Sequence, residues 1–118
     1  TSNLGKTWTE HNTSRKALIE PTCMGSIHKH TYHQADKVKS ILLFVNPESY
    51  SERNHITLKV SYDNGNTWPE NKKILLDEYN GRGYSCITSV DENTIGILYE
   101  SSQADMVFQQ IKLEELLP

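Results

Sequence analysis

Short apolar runs separated by polar turns recur along most of the chain, and each is too short for a helix. They predict strands at Ser40 to Val45, His55 to Tyr62, Lys73 to Leu76, Tyr84 to Val90, Thr94 to Glu100 and Met106 to Leu113. HITLKVSY alternates, placing Ile56, Leu58, Val60 and Tyr62 on one face and Thr57, Lys59 and Ser61 on a polar one. SILLFV is continuously apolar, as a strand buried on both faces is. Asp91, Glu92 and Asn93 form a short polar link between two apolar runs, a hairpin signal. The tail KLEELLP suggests one helical turn before Pro118, and HKHTYH reads as a polar, solvated turn. The pattern is that of an all-β chain forming one domain over residues 1–118.

The chain also repeats itself. TSNLGKTW, from Thr1 to Trp8, aligns with SYDNGNTW, from Ser61 to Trp68, so that Gly5, Thr7 and Trp8 fall on Gly65, Thr67 and Trp68 at a period of 60 residues. Periods somewhat shorter than this are usual for propeller blades, and insertions lengthen them. In SYDNGNTW the residue types suit a tight turn: Asp63 can accept from backbone amides of its own loop, Gly65 admits positive φ, and Trp68 can pack on the sheet. Two unrelated glycine turns would share fewer identities at fixed offsets.

Composition narrows the functional classes. With 118 residues, 36% hydrophobic and 23% charged, the chain is globular but polar for a self-sufficient core. A formal net charge of -3 without a long run of one sign argues against a nucleic-acid binder or a polybasic membrane module. No stretch approaches the ~20 apolar residues that span a bilayer. The first residues carry no signal-peptide pattern and no initiator Met, and they begin inside a motif, which suggests a piece of something longer. Cys23 and Cys86 each lie in an apolar run and read as two buried thiols, with a bridge between them left open. His28, His30 and His33 invite a zinc site but lack a complementary ligand cluster, so no metal is expected. Asn12-Thr13-Ser14 matches a glycosylation sequon too common to weigh.

SYDNGNTW resembles the Asp box, S-x-D-x-G-x-T-W, the structural hairpin repeated in sialidases and other Asp-box propellers; Thr1 to Trp8 is similar to a degenerate copy with Asn3 in place of the Asp. GYSCITSVDENTIGILYE, from Gly83 to Glu100, resembles the sialidase segment in which a Tyr-Ser pair opens a strand and Tyr-Glu closes the next. RNHITLKVSYDNG resembles the stretch in which a substrate-binding arginine precedes the Asp box, and EPTCMGSI the one holding the glutamate that activates the tyrosine.

The resemblance implies the C-terminal third of an exo-α-sialidase: about two blades of a six-bladed Asp-box β-propeller. It makes Tyr84 the nucleophile, Glu20 its base, Arg53 a ligand of the sialic acid carboxylate and Glu100 the support of another arginine. The family's second arginine is expected near the end of SILLFV, where Asn46-Pro47 stands instead. Either Arg53 alone binds the carboxylate, or Asn46 serves as a neutral donor. The first arginine and the acid/base aspartate would lie outside this chain, so the fragment alone is expected to be inactive. The resemblance further implies a sialylated glycan substrate, no cofactor, a secreted or periplasmic setting, and packing against the rest of the propeller or another copy of the chain. Taken singly, Tyr84 reads as a packing tyrosine, Arg53 as a loop cation, Glu100 as a solvated strand end and Glu20 as a turn residue. A non-catalytic Asp-box propeller that binds glycans or proteins explains the two turns but not the order Arg53, Tyr84, Glu100.

Overall fold

The computed structural model describes residues 1–118. Seven strands form: β1 (Ser26–Gln34), β2 (Lys37–Pro47), β3 (Ile56–Ser61), β4 (Ile74–Asp77), β5 (Ser85–Asp91), β6 (Thr94–Glu100) and β7 (Met106–Lys112). A 3-10 turn, Glu70–Lys72, precedes β4, and a single helical turn, α1 (Leu113–Leu116), follows β7. The strands make two antiparallel sheets, β1-β2-β3-β4 and β5-β6-β7, each a meander. The first 25 residues hold no strand and only an isolated bridge between Ser14 and Leu18. The expected all-β character and the C-terminal helical turn are both present.

One apolar core joins the sheets. Ile41, Leu43 and Val45 of β2 and Ile56, Leu58 and Val60 of β3 meet Ile87, Ile95, Ile97 and Tyr99 of the second sheet, with Leu113 and Leu116 of α1 closing one end. These side chains leave water almost completely, each contributing roughly 1.5–3 kcal/mol of transfer free energy. Where β1 and β2 pack beside β5, polar contacts pin the sheets: Ile87 N–H donates to Ser26 Oγ at 3.1 Å and Ser85 Oγ to the Val45 carbonyl at 3.1 Å.

Two expectations are corrected here, for HKHTYH and for the cysteines. HKHTYH is no turn; it lies within β1, paired with β2 from Ser26↔Val45 to Gln34↔Lys37. His30 is fully buried, bonded to Ser89 Oγ at 2.8 Å and the Glu92 carbonyl at 3.0 Å, while His33 pairs with the Glu92 carboxylate at 3.0 Å. The histidines thus fasten β1 to the β5–β6 hairpin. The polar face of β3 is covered as well: Thr57, Lys59 and Ser61 are as buried as the apolar positions between them. The irregular N-terminal segment contributes to that cover, as the Lys59 ammonium donates to the Ala17 carbonyl at 3.3 Å. The thiols, the second correction, are unpaired and not deeply buried, Cys23 being half-buried and Cys86 exposed.

The repeated turns superpose in their hydrogen bonding. Asp63 Oδ1 accepts from Thr67 N–H at 2.8 Å, Asp63 Oδ2 from the Thr67 hydroxyl at 2.6 Å, and Trp68 Nε1 donates to the Gly65 carbonyl at 3.1 Å. In the first copy Asn3 Oδ1 accepts from Thr7 N–H at 2.9 Å, Asn3 Nδ2 donates to the Thr7 hydroxyl at 2.9 Å, and Trp8 Nε1 donates to the Gly5 carbonyl at 3.0 Å. Gly5 and Gly65 take φ of 85° and 89°, which only glycine adopts freely. An amide therefore replaces a carboxylate without loss of the turn.

The two copies differ in their response to acid. Hydrogen bonds from Thr67 and Ser61 lower the Asp63 pKa from 3.8 to about 2. A depressed carboxylate pKa means stability that is complete above the ordinary value and lost as pH falls through the folded one. On acidification the Thr67 amide resonance is expected to titrate with a midpoint near 2, while the Thr7 amide, held by a group that cannot ionise, stays flat. A Thr67 midpoint at the ordinary aspartate value would show that the turn does not hold the charge.

Candidate active site

The antiparallel order brings four separate chain segments to one end of the sheets. β1 and β5 begin there, the β2–β3 connection crosses there, and β6 ends there. The Ser61–Trp68 turn, which follows β3, lies at the other end. Glu20 precedes β1, Arg53 sits in the β2–β3 connection, Tyr84 immediately precedes β5 and Glu100 closes β6.

Tyr84 and Glu100 are direct neighbours across the β5–β6 hairpin. Glu100 N–H donates to the Tyr84 carbonyl at 3.0 Å, and Tyr84 N–H returns a bond to Glu100 Oε2 at 3.3 Å. Glu100 Oε1 makes no hydrogen bond or ion pair within the chain. The Tyr84 side chain is 43% exposed and its hydroxyl makes no hydrogen bond within the chain. The Arg53 guanidinium stacks over its ring, 5.4 Å from the centroid, a cation–π contact that restrains both groups.

Arg53 is held by backbone from both sides. Its Nη1 donates to the Arg82 carbonyl at 3.1 Å, and its own carbonyl accepts from Gly81 N–H at 2.9 Å. No carboxylate forms an ion pair with it, so a half-buried guanidinium without an acidic partner lies beside an exposed phenol. Glu20 is exposed, with Oε2 fixed by Cys23 N–H at 2.8 Å. The Cys23 thiol donates in turn to the Arg82 carbonyl at 3.9 Å. Burial raises the Cys23 pKa, with Arg53 opposing the rise and Glu20 and Glu100 adding to it.

Asn46 does not reach this face. It is fully buried, and its Nδ2 donates to the Ile19 carbonyl at 2.7 Å and the Pro47 carbonyl at 2.9 Å. Both amide hydrogens are committed, so the expected neutral donor for a substrate carboxylate is not presented. The side chain instead ties the segment that carries Glu20 to the end of β2. Sequence reasoning passed over Cys23, Arg82 and Gly83, which fasten the cluster. Their one visible signal was Gly81-Arg82-Gly83, two glycines flanking an arginine just before the tyrosine.

The structure thus brings together a stacked cation and phenol, with the Glu100 carboxylate bonded to the tyrosine's own amide and Glu20 held on the neighbouring Cys23 loop. No family model matches the chain. A sialidase from Bacteroides fragilis (strain YCH46) is 48% identical over 117 residues, covering 99% of this chain and 22% of the relative. A sialidase from Micromonospora viridifaciens is 37% identical over 60 residues, covering 51% of this chain and 9% of the relative. Among solved structures, the Hadza microbial sialidase Hz136 matches with a TM-score of 0.83 at 47% identity, covering 99% of this chain and 22% of that one. Homologues named sialidase thus cover this chain in sequence and in structure, as its motifs implied, and the chain spans about a fifth of their length.

Proposed function

We propose that this chain is the nucleophile-bearing part of an exo-α-sialidase, whose complete catalytic domain is a six-bladed Asp-box β-propeller. The two sheets are then two neighbouring blades, with β1 and β5 nearest the axis. Ser61–Trp68 and Thr1–Trp8 are its Asp boxes, structural and remote from the pocket. Val90, Leu98, Met106 and Phe108 of the second sheet remain exposed, an apolar surface that an adjoining blade would cover.

The observation that carries this reading is Arg53 stacked on Tyr84 without an acidic partner, at the end of the fold where Glu20 and Glu100 also sit. A sialic acid glycoside bears a carboxylate on its anomeric carbon. An anionic nucleophile would be repelled by it, whereas a neutral tyrosine is not, which is why sialidases depart from the two-carboxylate rule. Tyrosine ionises near pH ~10 and needs a base to attack at neutral pH. Glu20 takes that proton as the phenolic oxygen of Tyr84 bonds to the anomeric carbon and the aglycone leaves. Water then cleaves the glycosyl-tyrosine with net retention. Arg53 grips the carboxylate through two parallel charge-assisted hydrogen bonds. Glu100, through its free oxygen, would hold an arginine supplied by another part of the protein. The acid that protonates the leaving group is likewise supplied from outside these residues.

The test is hydrolysis of a fluorogenic sialoside by the complete protein, with product stereochemistry followed by proton NMR. Retention is expected. In the same assay Arg53→Lys should raise KM at least about tenfold, because a charge-assisted pair is worth roughly 1.5–3 kcal/mol and lysine cannot form the fork. An unchanged KM would return Arg53 to the role of a surface cation. Sialoside binding without turnover would favour a non-catalytic glycan-binding propeller.

A further inference from the structure

Gly83 is the residue on which the cluster closes, and this inference rests on the sialidase reading above. It is buried, takes φ of +87°, and directly precedes Tyr84. A Cβ built on it would stand 2.8 Å from Pro47 Cγ, 3.3 Å from Cys23 Sγ and 3.4 Å from Arg53 Cβ. Those three neighbours come from the end of β2, the Glu20 loop and the β2–β3 connection, so one missing methyl group lets three segments converge beside the nucleophile. The preceding carbonyl, of Arg82, accepts both the Arg53 guanidinium at 3.1 Å and the Cys23 thiol at 3.9 Å. Cys23 N–H holds Glu20 in turn.

We infer that Gly83 is a positioning residue for the reaction: its left-handed backbone and absent side chain set the carboxylate-binding Arg53 and the base Glu20 against Tyr84. An alanine there has no soft neighbour to displace, since Pro47 is a buried ring. The displaced groups would be the guanidinium that binds substrate and the phenol that attacks it. Both KM and kcat should therefore suffer, unlike in Arg53→Lys, where KM alone carries the loss.

Gly65 supplies a matched control. Its φ of +89° imposes the same backbone strain on alanine, but it lies in the turn at the opposite end of the sheet, and its nearest neighbour is the flexible tip of Leu42 at 3.2 Å. In the complete enzyme both Gly83→Ala and Gly65→Ala are expected to lower Tm, Gly83→Ala the more, because its methyl meets a buried ring at 2.8 Å as well as the backbone strain the two share. Gly83→Ala should lose on the order of 100-fold in kcat/KM, the scale of a roughly 1 Å misplacement of reacting groups. Gly65→Ala should stay within about threefold of wild type, as distant sites act independently. The double variant Pro47→Ala/Gly83→Ala removes the closest contact and should recover about tenfold of the loss; it also keeps the test open if the single variant does not fold. Wild-type turnover together with equal activities for the two glycine variants overturns the positioning role and leaves the sialidase reading intact. Absence of turnover in the wild-type enzyme overturns both.

Discussion

Tyr84→Phe is expected to lower kcat for sialoside hydrolysis on the order of 10³-fold or more while leaving the fold and its thermal stability unchanged. The size follows from removing the atom proposed to form the bond, which no neighbouring group can replace. Stability should hold because the hydroxyl makes no hydrogen bond within the chain and the ring, half-exposed, keeps its contact with Arg53. The variant separates attack from binding. A carboxylate-bearing transition-state analogue should bind nearly as tightly as to wild type, since Arg53 is untouched. A sialyl fluoride with a second fluorine beside the anomeric carbon should trap the covalent intermediate in the wild-type enzyme, because fluorine there destabilises the positive charge needed for its hydrolysis. Mass spectrometry of the peptide containing Gly83-Tyr84-Ser85 should show the added sugar, and the Phe variant should show none. A label on another residue, or full activity in Tyr84→Phe, would make Tyr84 a packing tyrosine.

What could be read ahead of the structure depended on whether the determining contacts are local. β6 was visible in full because Thr94 to Glu100 is an apolar run bounded by a polar turn. The pairing of Tyr84 with Glu100 followed from hairpin geometry alone. β1 escaped because its histidines read as polar, whereas in the fold the strand pairs with β2 and His28, His30 and His33 bond to Ser89 and Glu92, about sixty positions away, which no periodicity reveals. Its hairpin turns through Ala35 and Asp36, both at positive φ without a glycine to announce it. Asn46 looked like a donor at the site because it occupies an arginine's place along the chain, yet its amide is spent on backbone. Gly83 matters through the approach of Pro47, Cys23 and Arg53, three segments whose meeting exists only in the folded molecule.

Lys59, on the polar face of β3, carries the largest expected effect on stability. Alternation places it on the polar face of β3, and its side chain is nonetheless completely buried, its ammonium 3.3 Å from Glu48 Oε1. Glu48 is shared with Lys73, which also pairs with Glu70 at 2.6 Å. Burial lowers the Lys59 pKa, Glu48 opposes that shift, and Lys73 adds a smaller depression. Removing one partner of such a pair leaves an uncompensated charge in the interior, at a cost of about 3–5 kcal/mol, whereas an apolar replacement of similar volume is often neutral or stabilising. Glu48→Gln is therefore expected to lower the unfolding free energy by about that amount. Lys59→Met should match or exceed wild type, since Glu48 keeps Lys73 and no buried charge is orphaned. The pH dependence has a definite sign. A lysine whose folded pKa lies below its unfolded value binds fewer protons in the folded state, so stability rises with pH between the two values. Glu48→Gln widens that window, and its deficit should shrink as pH climbs toward the ordinary lysine value of 10.5. Urea unfolding of the three proteins from neutral to alkaline pH would measure this. If Glu48→Gln proves as stable as wild type at neutral pH, or Lys59→Met proves the less stable of the two, the ammonium is hydrated in solution and the buried pair does not govern stability.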